Sequence, residues 1–199
     1  MPSERDRPSV IKRREAFLAE ILGIEPHRLV FIDESGSNIG MSREYGRSLP
    51  GKRIIERLPR NRGSVTTMIG ALRVDGLHAL MTIQGGTSRD VFLEFIREHL
   101  VPVLRPGDVV VMDNLGAHHA TGVREAIEAG AARVLYLPAY SPDLNPIEEC
   151  WSKLQYLLKT FGARTVCELV KTISFAATFI TQADAQGWFG HSGYGHQPA

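Results

Sequence analysis

Three consecutive valines followed by a methionine, Val109 to Met112, leave little choice of fold. Successive side chains of a strand point to opposite faces of its sheet, so this strand is apolar on both sides. Strands of that kind lie in the middle of sheets that helices cover on both faces. We therefore expect an α/β domain.

Other segments predict the rest of the sheet and its helices. Asp75-Gly76 lies between two β-rich runs and predicts a hairpin. The expected strands are 28–32, 64–74, 77–84, 108–112 and 133–137, and the expected helices are 8–22, one from Ser88, 123–129, one from Pro146 and a last one from about Thr165. A β-meander followed by alternating helices and strands predicts a mixed β-sheet flanked by helices.

Composition excludes several classes of protein. A chain of 199 residues with 43% hydrophobic and 23% charged residues is typical of one globular domain. Its two cysteines cannot form a disulfide framework, and no run approaches the ~20 apolar residues of a membrane span. The N-terminus has no apolar signal-peptide core. We expect a cytoplasmic protein without a membrane partner, and the net charge of +1 predicts no other partner.

Two aspartates directly follow predicted strands, Asp33 after the first and Asp113 after the apolar run at 109–112. Ligand sites of open α/β sheets lie outside the carboxyl ends of their strands. Each aspartate could instead be a turn or cap residue. A third acid at the same place would favour a functional site.

The stretch from Pro138 to Trp151 supplies two candidate acids, Glu148 and Glu149. Asn145 fits an N-cap, which would make Glu148 part of a capping box and gives it a purely structural alternative. At ~100° per residue, Glu148 flanks the apolar stripe of the helix, whereas Glu149 points towards solvent. The stripe consists of Ile147, Cys150, Trp151, Leu154, Leu157, Leu158 and Phe161. Glu148 is therefore the expected third acid.

Three clustered carboxylates are typical ligands of Mg²⁺ or Mn²⁺. Two such ions, about 3.5–4 Å apart, can stabilise the attacking and leaving oxygens of a phosphodiester. No glycine-rich phosphate loop is present, and His118 and His119 have no second His/Cys pair at zinc spacing. The residues thus favour oxygen-ligated metal chemistry.

A basic, turn-rich segment lies between residues 43 and 62. It could contact a polyanion such as DNA, or it could be a solvated loop. Its cationic residues are Arg43, Arg47, Lys52, Arg53, Arg57, Arg60 and Arg62.

Three blocks of the sequence resemble the signature blocks of DDE transposases. They are FIDESG (31–36), VVVMDNLGAHH (109–119) and LPAYSPDLNPIEECW (137–151), and 34 residues separate Asp113 from Glu148. This spacing is similar to that of the bacterial insertion-sequence branch of the Tc/mariner superfamily. The resemblance extends from about Arg28 to Tyr194.

The resemblance implies an RNase H-like, integrase-like fold and a metal-binding catalytic triad of Asp33, Asp113 and Glu148. Asp33 would bridge two Mg²⁺ or Mn²⁺ ions, with Asp113 on one and Glu148 on the other. The implied activity is phosphodiester hydrolysis at the ends of a mobile element, followed by strand transfer into TA target DNA. The implied partners are double-stranded DNA with terminal inverted repeats and a second copy of the chain. With the resemblance in view, the seven cationic residues of the basic segment are expected to bind the DNA backbone.

Several neighbouring residues carry weaker expectations. Asn114 and His118 match a family pattern. His118 either orients the scissile phosphate or a water, or is a loop histidine bonded to the backbone. Glu34 should point to the opposite face from Asp33, as a local ion-pair or turn residue. Loop-shaping or capping roles are expected of Tyr140, Ser141, Asp143 and Asn145, and a core position of Trp151.

The expected organisation is a helical linker at 1–27, the catalytic domain at 28–189 and a loose tail at 190–199. Members of the family carry helix-turn-helix domains before the catalytic domain, so a separately encoded N-terminal half is an expected partner. Two other functions stay open: a non-catalytic regulatory fragment that binds DNA, and a host nuclease of the same fold. The 34-residue spacing argues against the host nuclease.

Overall fold

The computed structural model describes residues 6–195 except 44, 115, 117, 119 and 120. Its strands are β1 (Leu29–Ser37), β2 (Thr66–Arg73), β3 (Gly76–Gln84), β4 (Val109–Met112) and β5 (Arg133–Tyr136). Its helices are α1 (Pro8–Ile21), α2 (Arg89–Phe95), α3 (Val123–Ala129), α4 (Ile147–Phe161), α5 (Val166–Ala177) and α6 (Gln182–His191). A π-helical turn, Ile96–Leu100, continues α2.

The five strands form one sheet in the order β3-β2-β1-β4-β5. β1, β2 and β3 are antiparallel neighbours, as the Asp75-Gly76 turn predicts, whereas β1, β4 and β5 run parallel. The predicted mixed sheet is therefore confirmed, with its parallel half on one side of β1.

Helices cover both faces of the sheet. Phe31 and Val111 belong to a core layer shared with α1, α4, α5 and α6, whereas Val30 and Val110 belong to a second layer shared with α2 and α3. All four residues of β4 are buried. Burial on both faces confirms the interpretation of the apolar run at 109–112.

Helix caps follow the predicted chemistry in two places. The Ser88 hydroxyl accepts a hydrogen bond from the Val91 amide at 3.3 Å. Thr165 and Glu168 form the predicted capping box at the start of α5. These caps fix the ends of α2 and α5.

Two predicted boundaries differ from the structure. β1 does not end before Asp33, because its antiparallel pairing with β2 continues to Ser37 while its parallel pairing with β4 stops at Phe31. The region from Thr165 holds two helices rather than one, since Thr181 begins α6 with a second capping box.

The predicted loose tail is wrong for residues 190–194. α6 ends only at His191, and Tyr194 is buried with its hydroxyl donating to the Leu144 carbonyl at 2.6 Å. The glycine-rich composition of this segment gave no sign that one aromatic ring would anchor it. Residues 196–199 lie outside the described part. No helix within the described ranges is long and apolar enough to cross a membrane.

Candidate active site

Asp33 and Asp113 lie where the parallel half of the sheet ends. The β1–β4 pairing runs from Leu29–Val109 to Phe31–Val111, and each aspartate follows two residues after that last pair. Because side chains alternate along a strand, Asp33 shares the face of Phe31, on which α4 packs. The strand ends therefore direct the site towards the first turn of α4.

Glu148 completes this site from α4. A cavity of about 310 Å³ is lined by Asp33, Asp113, Asn114, Leu137, Pro138, Ala139, Tyr140, Ser141, Pro142, Asn145 and Glu148. The structure thus brings together the three predicted acids and one of the two predicted accessory residues, Asn114.

Packing of α4 on the sheet sets the position of Glu148. Trp151, one turn further along α4, is buried over Gly70 of β2, which pairs with Asp33. A Cβ atom at Gly70 would lie 2.7 Å from the Trp151 ring, so only glycine lets the helix approach this closely. The predicted core position of Trp151 is confirmed.

The pocket is crowded with negative charge. Burial, reinforced by the nearby Glu148 carboxylate, raises the pKa of Asp33 from 3.8 to about 7. Partial desolvation of the Glu148 carboxylate at the pocket and the charge of Asp113 also raise the pKa of Glu148, although the residue as a whole is exposed. An additional positive charge in the pocket would stabilise the ionised form of both groups.

His118 is enclosed behind Asp113. Its Nδ1 lies 2.6 Å from Asp113 Oδ1 and its Nε2 lies 3.2 Å from Glu34 Oε2, while its ring packs on Phe92 with centroids 4.2 Å apart. Burial alone would lower the pKa of the imidazole, but the hydrogen bonds to Asp113 and Glu34 outweigh it and raise the pKa to about 10. His118 is therefore an imidazolium held between two carboxylates.

The contacts of His118 go beyond the backbone bond of the second interpretation. The ring does contact the backbone, since Nδ1 lies 3.1 Å from the Asp113 carbonyl, but it also contacts two carboxylates. His118 is fully buried and does not line the acid pocket, so it acts on that pocket through Asp113. His119 lies outside the described residues.

Glu34 points to the opposite face from Asp33, as expected from strand alternation. Its partner is not local, however, because His118 lies 84 residues away in the chain. The sequence could not predict this ion pair, since it depends on the loop after β4 folding over β1.

The start of α4 differs from the prediction. The helix begins at Ile147 with Pro146 at the cap position, and no side chain caps it. Asn145 is buried, and its Oδ1 has no hydrogen-bond partner in the described part of the chain. Asn145 lines the acid pocket, and its side chain does not cap the helix.

The predicted exposures of the two glutamates are also corrected. Glu149 is half-buried, with its carboxylate 3.7 Å from His191 of α6, whereas Glu148 is exposed at the pocket. A helical wheel takes account of one helix only and could not include α6. The assignment of Glu148 to the pocket is unaffected, because Glu149 lies on the side of α6.

The loop between β5 and α4 is anchored from two directions. Arg14 of α1 binds the Asp143 carboxylate through two hydrogen bonds of 3.0 and 2.7 Å. Tyr194 holds the Leu144 carbonyl, and the Ser141 hydroxyl donates to the Ala139 carbonyl at 3.3 Å. Sequence reasoning missed Arg14 and Tyr194, whose roles depend on tertiary packing.

Tyr140 is strained within this anchored loop. Its φ of 59° places it in the left-handed region, which costs an L-residue roughly 1–2 kcal/mol. Its side chain is nevertheless 45% exposed at the rim of the pocket.

The basic segment does not reach the acid pocket. All seven of its predicted DNA-binding residues are exposed, and none of them lines the cavity that holds Asp33. Arg164, which follows α4, donates to the carbonyl of Met41 just before the segment at 2.8 Å and pairs with Glu56 within the segment. The segment is therefore an exposed cationic surface beside α4.

Comparison with known proteins identifies the family of the domain that contains this pocket. A family model described as DDE superfamily endonuclease matches residues 28–168, a range that contains all three acids. A comparison with curated protein sequences gave no match.

Solved structures show the same fold. The chain is similar to the catalytic domain of Mos1 mariner transposase (TM-score 0.67, 15% identity, covering 92% of this chain and 88% of that one). It is also similar to the Mos1 mariner paired-end complex with Mn (TM-score 0.71, 18% identity, covering 92% and 59%).

The chain thus spans about 59% of the length of the transposase in that complex. The fold is the RNase H-like fold that the sequence predicts. Because the family model covers well over half of the chain, this protein belongs to the DDE superfamily endonucleases.

Proposed function

We propose that this chain is the catalytic domain of a DNA transposase of the bacterial insertion-sequence branch of the Tc/mariner superfamily. It would hydrolyse phosphodiester bonds at the ends of a mobile element and join the freed ends to TA target DNA. One observation carries the proposal: Asp33, Asp113 and Glu148 line one pocket of a DDE endonuclease domain.

These three residues would hold divalent cations, Mg²⁺ or Mn²⁺, and we infer two of them. Carboxylate oxygens are the donors that these hard cations prefer. Burial, together with the charge of a neighbouring carboxylate, raises the pKa values of Asp33 and Glu148, and a bound cation would offset both effects. The similar Mos1 structures include paired end complexes with Mg and with Mn. No three acidic, histidine or cysteine side chains of the described residues already form a metal cage, so the carboxylates would adjust on binding.

When bound, the cations supply Lewis-acid chemistry, which activates the attacking oxygen and stabilises the leaving one. The protein's own contribution is to fix the carboxylates. His118 holds Asp113 from behind, and the packing of Trp151 on Gly70 fixes the helix that carries Glu148. Water would attack first and leave a 3′-hydroxyl, which would then attack the target strand without a covalent enzyme intermediate.

Double-stranded DNA is the proposed partner, in the form of terminal inverted repeats and a TA target. The exposed basic segment would contact its phosphates, which gives affinity that depends on salt but not on sequence. We further propose a homodimer on DNA in the bacterial cytoplasm and a separately encoded helix-turn-helix half. The similar complexes are titled as paired-end and strand-transfer complexes.

A plasmid-nicking assay tests the proposal. Supercoiled, TA-rich plasmid is incubated with Mg²⁺ or Mn²⁺ and with wild type, Glu148→Gln or Glu149→Gln. These two variants lose the same charge at adjacent positions, but only Glu148 lines the pocket. We expect wild type and Glu149→Gln to nick and Glu148→Gln to be inactive.

A non-catalytic regulatory fragment is the second candidate. If wild type binds plasmid but does not nick it with either metal, this second function replaces the first. If Glu148→Gln nicks like wild type, the assignment of the triad is wrong.

A further inference from the structure

Tyr140 combines three properties that the proposed chemistry does not use. It lies at the rim of the acid pocket, the residue is 45% exposed, and its backbone is left-handed at φ 59°. Glycine or asparagine adopts that backbone conformation more readily than tyrosine. An exposed ring also forgoes most of the stabilisation that an aromatic side chain gains by burial. Stability of the fold therefore does not account for a tyrosine here.

The loop presents this ring from a fixed support. Pro138 and Pro142 limit the backbone on either side of Tyr140. Arg14 holds Asp143, and Tyr194 holds Leu144, from two other parts of the chain. Because the support is anchored at several points, the ring needs little further ordering when a flat partner binds it.

The surroundings favour one kind of partner for the ring. The uncharged ring of Tyr140 offers a stacking face to a nucleobase, whereas it offers a phosphate only one hydroxyl group. Stacking on an aromatic side chain is tolerant of sequence, because every base has a π-face. A base paired inside a duplex is already stacked on its neighbours, so the partner must be unpaired.

We propose that Tyr140 stacks on an unpaired nucleobase of the DNA strand next to the scissile phosphate. This inference rests on the proposed function, since it requires DNA in the pocket of Asp33, Asp113 and Glu148. It assigns the rim of the pocket as a base-binding site, separate from the metal-binding role of the acids. Strand separation next to the cleavage point would then be part of substrate binding.

Fluorescence of 2-aminopurine tests this inference without any cleavage. The probe is a short duplex whose 3′-hydroxyl end carries one unpaired 2-aminopurine, titrated with the full chain. Stacking on an aromatic ring quenches this base. We expect quenching by wild type and Tyr140→Phe, no quenching by Tyr140→Asn, and roughly tenfold weaker binding of the probe by Tyr140→Asn.

Two controls keep the result specific. Tyr140→Asn suits the left-handed backbone, so thermal unfolding should show a fold at least as stable as wild type. Tyr156→Ala removes another exposed tyrosine, on α4 and outside the acid pocket, and should quench like wild type.

The possible results separate the two proposals. Quenching by Tyr140→Asn, or loss of quenching in Tyr140→Phe, overturns the stacking role. A wild type that nicks plasmid but does not quench the probe overturns stacking and leaves the transposase function intact. A wild type that quenches the probe but does not nick supports stacking, while the catalytic proposal fails.

Discussion

Replacing Asp33 by asparagine should stabilise the metal-free protein above neutral pH while removing its activity. The folded pKa of Asp33 is about 7 against 3.8 for an ordinary aspartate, so between these values the folded state binds more protons than the unfolded state. Stability from this group is therefore full below pH 4 and is lost as pH rises through 7. Integrated from pH 5 to pH 8, the loss is about 2–3 kcal/mol, or roughly 5–10 °C in melting temperature.

Thermal unfolding in the presence of a chelator at pH 5, 6, 7 and 8 measures this effect. The melting temperature of the wild type should fall across the series relative to that of Asp33→Asn, whose amide carries no titrating charge. Glu94→Gln, on the exposed side of α2, serves as the control and should follow the wild type. If melting temperature depends on pH in the same way for Asp33→Asn and wild type, then burial and the Glu148 charge do not destabilise ionised Asp33.

Three further predictions concern other parts of the molecule. Asp108→Ala leaves the buried Arg73 guanidinium without its carboxylate partner at 2.5 Å and should cost about 3–5 kcal/mol in urea unfolding; a cost below 1 kcal/mol would contradict this. His118→Gln should stay folded but need about 10–100 times more Mn²⁺ for half-maximal plasmid nicking, because Asp113 loses its support; an unchanged metal titration would count against that role. The double variant Arg53→Gln/Arg57→Gln should lower the slope of log affinity against log salt concentration by roughly 0.9 for each phosphate that the protein no longer neutralises. An unchanged slope would mean that these two residues do not bind DNA.

Much of the fold was predictable because local sequence patterns specify the strands of the sheet. The apolar run at 109–112 could only be a central strand, and Asp75-Gly76 could only join neighbouring strands by a tight turn. The extension of β1 to Ser37 could not be read locally, since it depends on pairing with β2. α6 was missed because its apolar residues form no clear stripe. Its local sequence signal is the capping box of Thr181 and Asp184.

The three acids of the candidate site were predictable, but the residues that hold the site in place were not. Asp33, Asp113 and Glu148 follow from strand ends, the helical wheel and the family resemblance. The pair of His118 with Glu34 and the clamp of Arg14 on Asp143 join positions 84 and 129 residues apart. Such contacts depend on the packing of several elements at once, so no local pattern encodes them.

The distribution of the acids over β1, β4 and α4 has a consequence for protein synthesis. Domains begin to fold as they leave the ribosome, N-terminal parts first. A nascent chain that ends before α4 carries Asp33 and Asp113 but lacks Glu148, so it cannot assemble the pocket. Under the proposed function, a nascent chain could therefore not cut DNA until α4 has been made, and translation products that stop before α4 would be inactive.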